Sequence, residues 1–105
     1  MIKLVYHMSM IKRIESGIMG KMLGSHSLSA IKDLADKLHL KGVAFIKHDG
    51  SIKILAEGEE DNLHDFIEEL GSERIFVMPE NFYANWFPAD DGLKDFFILT
   101  NQQIG

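Results

Sequence analysis

Ser25, Ser27 and Ser29 surround His26 and so set hydroxyls beside an imidazole, the ingredients of nucleophilic catalysis. Adjacent residues seldom aim at each other, and no third group is in place to orient the base, so no nucleophile–base pair is expected. The histidines His7, His26, His39, His48 and His64 raise the question of a metal. A helical zinc site needs two imidazoles about a turn apart and a third ligand near them. No pair here meets that requirement, and neither a metal nor a cofactor is expected. Asp61 and Asp65 bracket His64 and read as a solvated helix face. Lysines gather in the first half, at Lys3, Lys12, Lys21, Lys32, Lys37, Lys41, Lys47 and Lys53, whereas acids gather in Glu57–Asp61 and Asp65–Glu69. That asymmetry allows a local positive field near the first loops within an otherwise mixed-sign surface.

The elements that must position these groups follow from periodicity. Ile2–Met19 alternates loosely, with Leu4, Tyr6, Met8, Met10, Ile14 and Ile18 on one parity, which predicts a strand or two. Gly17, Gly20 and Gly24 then predict a loop over Gly17–Ser27, with Ser27 or Ser29 capping a helix. Leu28, Ile31, Leu34, Ala35 and Leu38 give that helix a buried stripe, and Lys41-Gly42 is expected to end it. Val43–His48, the hairpin signal Asp49-Gly50 and Ser51–Ala56 predict two paired strands. Glu57-Gly58 should stop the second of them. A further helix follows, with Glu59–Asp61 favouring its positive end, Leu63, Phe66, Ile67 and Leu70 as its apolar face, and Gly71 as its cap. Arg74–Met78, Asn81–Phe87 and Leu93–Leu99 read as later strands, set apart by Pro79 and Pro88–Gly92. On the Asn81–Phe87 strand, Phe82 and Trp86 are expected to face the helices, leaving Tyr83 and Phe87 as contacts for a protein partner or a second copy. Met8, Met10, Met19 and Met22 are expected to fill gaps in the core.

The chain has 105 residues, of which 46% are hydrophobic and 26% charged, as expected of one globular domain spanning 1–105 with a true core. The net charge of −5 argues against nucleic-acid binding. No apolar run reaches the ~20 residues needed to cross a bilayer, so no membrane association is expected. Cysteine is absent, which fits a reducing, cytoplasmic compartment. The order strand, helix, strand, hairpin, strand, helix, strand, with one strand more, is that of an α+β domain: a ferredoxin-like split β-α-β sandwich with two helices on one face of an antiparallel sheet.

The run from Lys41-Gly42 to Asp49-Gly50-Ser51-Ile52-Lys53-Ile54-Leu55-Ala56-Glu57-Gly58 resembles the acylphosphatase family, whose corresponding stretch reads G-W-V-R-N-x-x-D-G-S-V-E-x-x-A-E-G. Without a gap, Gly20-Lys21-Met22-Leu23-Gly24-Ser25-His26-Ser27-Leu28 falls on that family's loop G-R-V-Q-G-V-G-F-R. Asp95-Phe96-Phe97-Ile98 falls on its closing G-F-x-I, so the resemblance covers about residues 11–99, with 1–10 as an extra N-terminal segment. It implies an acylphosphatase-like sandwich and a phosphate cradle of backbone N–H groups before the first helix. In that family an arginine closing the loop clamps the phosphate and an asparagine on the next strand orients the attacking water. Leu28 and Ile46 take those two positions, and neither side chain can hydrogen-bond. The resemblance therefore implies a catalytically degenerate domain binding a small anion, a phosphorylated ligand or a protein partner. Gly20, Lys21, Met22, Leu23, Gly24, Ser25 and His26 are the candidate anion-binding loop. The alternative is an atypical acylphosphatase in which Lys21 or His26 replaces the arginine. A more distant resemblance is to flavin-binding blue-light (BLUF) domains, with Tyr6 as the strand-one tyrosine. The helix Ser29–Leu40 has no asparagine, and Ile54 takes the place of that family's glutamine.

Overall fold

A computed structural model describes residues 10–20, 23–72, 79–90 and 92–99. It comprises strand β1 (Ile11–Gly20), helix α1 (Ser25–Lys37), strands β2 (Lys41–Ile46) and β3 (Ile52–Glu59), helix α2 (Glu60–Leu70), and strands β4 (Pro79–Pro88) and β5 (Phe96–Leu99). The five strands form one sheet in the order β4-β1-β3-β2-β5. Both helices pack on one face, against a core that includes Ile14, Ile18, Ile31, Ile52, Ile54, Leu63, Phe66 and Phe96. Even-numbered β1 residues Ile14, Ser16 and Ile18 point under the helices, opposite Ala56, Ile54 and Ile52 of β3. Period-2 alternation thus reaches the core as expected. Phe66 is fully buried and meets Phe96 edge-on at 6.5 Å between centroids. Phe66→Ala should cost ~3–5 kcal/mol, to be read as a lowered midpoint in chemical denaturation.

The sheet is mixed rather than wholly antiparallel, because β5 runs parallel to β2. The reason is directional. β4 runs antiparallel to β1 and ends at the base of the sheet. The chain then passes beneath to the opposite margin and must climb beside β2. Two hydrogen bonds pin this crossing: the Asp90 N–H donates to Glu57 Oε2 (2.7 Å), and the Gly42 N–H donates to the Asp95 carbonyl (2.9 Å). Glu57, expected to stop β3, lies inside it, nearly buried, with Arg13 Nη1 3.9 Å away.

Several element ends differ from expectation. β1 runs through Gly17 to Gly20, because the Tyr83 ring of β4 lies over Gly17 and fills the space a side chain would take. A Cβ at Gly17 would come within 2.7 Å of Tyr83 Cζ. α1 begins at Ser25, with Gly24 as its cap in place of Ser27 or Ser29. It ends at Lys37 rather than at Lys41-Gly42, and His39 takes the left-handed turn after it (φ 59°). β2 starts two residues before expectation. The Asp49-Gly50 turn closes as predicted, the Gly50 N–H donating to the Lys47 carbonyl (2.9 Å). Asp49 accepts from the Ser51 hydroxyl (2.6 Å) and N–H (2.9 Å), and these bonds hold its carboxyl below the usual carboxylate range. Gly71 caps α2 with a right-handed φ of −79°, not a left-handed one. Pro79 and Pro88 lie within the bounds of β4, which an outer strand tolerates. β5 is shorter than Leu93–Leu99. The strand expected at Arg74–Met78 lies outside the described residues.

The parity of β4 is as predicted, with Phe82 packed against the core on the helix side. Trp86 shares that side, as expected, and is 39% exposed. α2 covers β1 and β3, leaving the outer strand at its rim, where Trp86 stacks on His64 at 4.7 Å. Met10 and Met19 are exposed rather than filling the core: Met10 precedes the strand and Met19 lies on the sheet face away from the helices. Met8 and Met22 lie outside the described residues.

Candidate functional site

The turn between β1 and α1 is built at the end of the sheet where the β2–β3 hairpin also closes, since Ile18 of β1 pairs with Ile52 and Ile52 with Ile46. Gly20 closes β1, and the register with β4 shifts between Met19 and Gly20. Lys21 and Met22 lie outside the described residues. Leu23 is half-buried against the core, so the chain re-enters the fold just before the helix.

Gly24 stands at the helix cap with an extended backbone (φ −174°). Its N–H donates to the Ser27 hydroxyl at 3.2 Å, and its carbonyl accepts from the Ser27 and Leu28 amides at 2.9 and 3.2 Å. Ser27 is therefore a buried part of the cap, which is why it starts no helix of its own. Ser25 and His26 are exposed in the first turn, and the His26 ring lies beside Gly24. The Gly24 and Ser27 amides are taken up within the cap, which leaves those of Ser25 and His26 as the first-turn donors, and α1 has no acidic side chain in that turn to compete for them.

One turn in, Leu28 is 6% exposed and belongs to the core cluster. Ile46, at the end of β2, is half-buried and packs against the same cluster. Both positions below the turn are therefore apolar. The structure brings Gly20, Gly24, Ser25 and His26 to one end of the sheet, with Leu28 and Ile46 as part of the core behind them.

On the opposite sheet face a cleft of about 190 Å³ adjoins the last residues of β1, with Lys47, Ser51, Lys53, Asn81 and Tyr83 among its lining. Lys53 Nζ lies 3.4 Å from the Tyr83 hydroxyl and 3.6 Å from Glu15 Oε1. Residue-by-residue reading missed this cleft. The clustering of early lysines was its one trace in the sequence. Among the described residues no group of three His, Cys, Asp or Glu side chains could hold a metal ion. Nor is any described helix long and apolar enough to cross a membrane. Helix α1 has no asparagine and Ile54 is wholly buried, so the groups a flavin sensor would need are missing at both positions; Tyr6 lies outside the described residues.

Comparison with known proteins gives a family match and several similar structures. The acylphosphatase family model matches residues 14–98. An acylphosphatase of Helicobacter hepaticus is 33% identical over 93 residues, covering 84% of this chain and 97% of that relative. One from Clostridium acetobutylicum is 29% identical over 90 residues, covering 86% and 99%. The crystal structure of acylphosphatase from Bacillus subtilis superposes with a TM-score of 0.74 at 27% identity, covering 84% of this chain and 98% of that one.

Proposed function

This chain belongs to the acylphosphatase family, and from that premise we propose that it holds a small phosphoryl or acyl-phosphate anion at the β1–α1 turn without hydrolysing it. One observation carries the reading. Leu28 and Ile46, which the gapless register sets on the family's arginine and asparagine positions, pack into or against the core and offer no hydrogen bond. Hydrolysis in this fold needs no covalent nucleophile; positioning and charge stabilisation do the chemistry. Removing both polar groups takes away the clamp on the phosphate and the guide for the water. The capped helix end remains, with Ser25 and His26 as its donors and no acidic side chain in the first turn.

Benzoyl phosphate hydrolysis by the purified chain should not exceed the uncatalysed rate. Titration with inorganic phosphate should move the amide resonances of Gly24–Ser27 and leave the far end of the sheet unchanged. Resonances indifferent to phosphate, sulfate and acyl phosphate alike would remove the ligand. The exposure of His26 beside Gly24 favours a second reading, in which it or Lys21 replaces the missing arginine. Hydrolysis above background that falls with His26→Ala or Lys21→Ala would establish that reading and displace the first.

A further inference from the structure

The outer strand β4 has a composition unlike that of a protected sheet edge. Natural edges are blunted by charge, a lysine above all, by proline or by brevity, and β4 has such protection only at its ends, in Pro79, Glu80 and Pro88. β4 spans ten residues, and from Asn81 to Ala89 the chain has no charged side chain. It also exposes three large aromatics, Tyr83 (45%), Trp86 (39%) and Phe87 (40%), on both faces of the sheet. Tyr83 and Phe87 stand opposite Gly17 and Arg13, on the face away from the helices, and Trp86 opposite Ile14, on the helix side. Among the described residues β1 pairs with one side of β4 and no strand pairs with its other side, which presents a row of backbone donors and acceptors.

The geometry points to a second copy of this chain as the occupant: we propose that β4 pairs antiparallel with β4 of another copy about a two-fold axis at Ala84, joining two sheets into one. The sequence Phe82-Tyr83-Ala84-Asn85-Trp86 is self-complementary about that point. An axis perpendicular to the sheet keeps the helices of both copies on one side, so facing residues must share a parity. Centred on Ala84, Phe82 meets the partner's Trp86 on the helix side, and Tyr83 meets the partner's Asn85 on the open side. Each pair occurs twice, as an isologous contact requires. Charge permits the same occupant. A net charge of −5 disfavours self-association on the whole, and the uncharged stretch Asn81–Ala89 brings no like charges together at the contact.

The absence of cysteine makes the test clean. Directly opposed antiparallel residues lie ~4.5–5.5 Å apart at Cα, within disulfide reach. Ala84→Cys should therefore cross-link into a dimer under mild oxidation, whereas Asp33→Cys on the exposed side of α1 should not. Sedimentation equilibrium of the parent chain should give twice the mass of one chain at tens of micromolar. Asn85→Lys, which adds a charge to the edge, should weaken that association at least ~10-fold, with an unchanged circular dichroism spectrum showing that it folds. A parent chain that stays monomeric up to millimolar concentration would overturn the proposal. So would a dimer that ignores Asn85→Lys and in which Ala84→Cys does not cross-link, since it would use another face.

Discussion

Leu28→Arg combined with Ile46→Asn should raise benzoyl phosphate hydrolysis at least ~10²-fold above the parent chain, the effect expected of one preorganised donor at a developing charge. The guanidinium offers a planar fork that grips a phosphate with two bonds, and the carboxamide can orient water. Leu28 stands one turn from the start of α1, so an arginine stem can follow the leucine's path and bring its head to the turn. The change has a structural penalty, since Leu28 is 6% exposed and the new polar group must leave the core; ~1–3 kcal/mol is expected. Ile46 is half-buried at a strand end, where an amide can be solvated. The two substitutions should act together, each alone giving far less than the pair. Steady-state hydrolysis by the parent, both single variants and the double variant reads this directly. A double variant that is folded and binds phosphate yet hydrolyses nothing would mean that the turn does not present the anion to these positions.

Gly42→Ala should be the most damaging single substitution in the sheet, lowering stability by at least ~3 kcal/mol when the strain of its backbone and the overpacking are combined. Gly42 lies in β2 between Ala56 of β3 and Phe96 of β5, at a φ of +152° that side chains rarely accept. A Cβ there would be driven into the Leu55 carbonyl, with the Leu55 carbonyl carbon only 2.8 Å away. Rigid backbone on both sides leaves nothing to yield. Urea denaturation of Gly42→Ala beside Gly50→Ala separates the causes. Gly50 also has a positive φ (+89°), but a Cβ there meets nothing within 4 Å, so its variant shows backbone strain without collision. Equal losses at the two sites would discount the collision.

The fold was legible because local patterns and the global pattern agree. The alternation through Ile14 and Ile18, the stripes at Leu28–Ala35 and Leu63–Leu70, and the Asp49-Gly50 turn each identify one element, and their order names the sandwich. The misreadings share a cause: a glycine or a charge whose role is set by a distant strand. Gly17 reads as a loop until Tyr83 is placed over it. Gly42 reads as a helix stop, although its requirement comes from the carbonyl of Leu55. Glu57 reads as a strand stop, although it anchors a backbone amide thirty-three positions later. Trp86 was assigned to the correct side, while its exposure lay beyond the pattern, because periodicity indicates facing and says nothing of how far a helix extends over an outer strand. The direction of β5 was likewise beyond a local pattern, since it depends on where β4 ends. At the site, the register of the glycines is what sets Leu28 and Ile46, by resemblance, on the arginine and asparagine positions, and the cleft at Lys53 and Tyr83 was hidden because three separate strands contribute to it.

The order in which the strands take their places bears on how the chain is made. Both margins of the sheet come from the last quarter of the sequence: β4 must return to β1 and β5 to β2, across sequence separations that make folding slow. A nascent chain emerging from the ribosome therefore carries β1, β3 and β2 without the strands that flank them until β4 and β5 have been made. During that interval it is a natural client for chaperones, and a premature stop before Pro79 would yield a product that the cell's proteases clear rather than a shorter working protein.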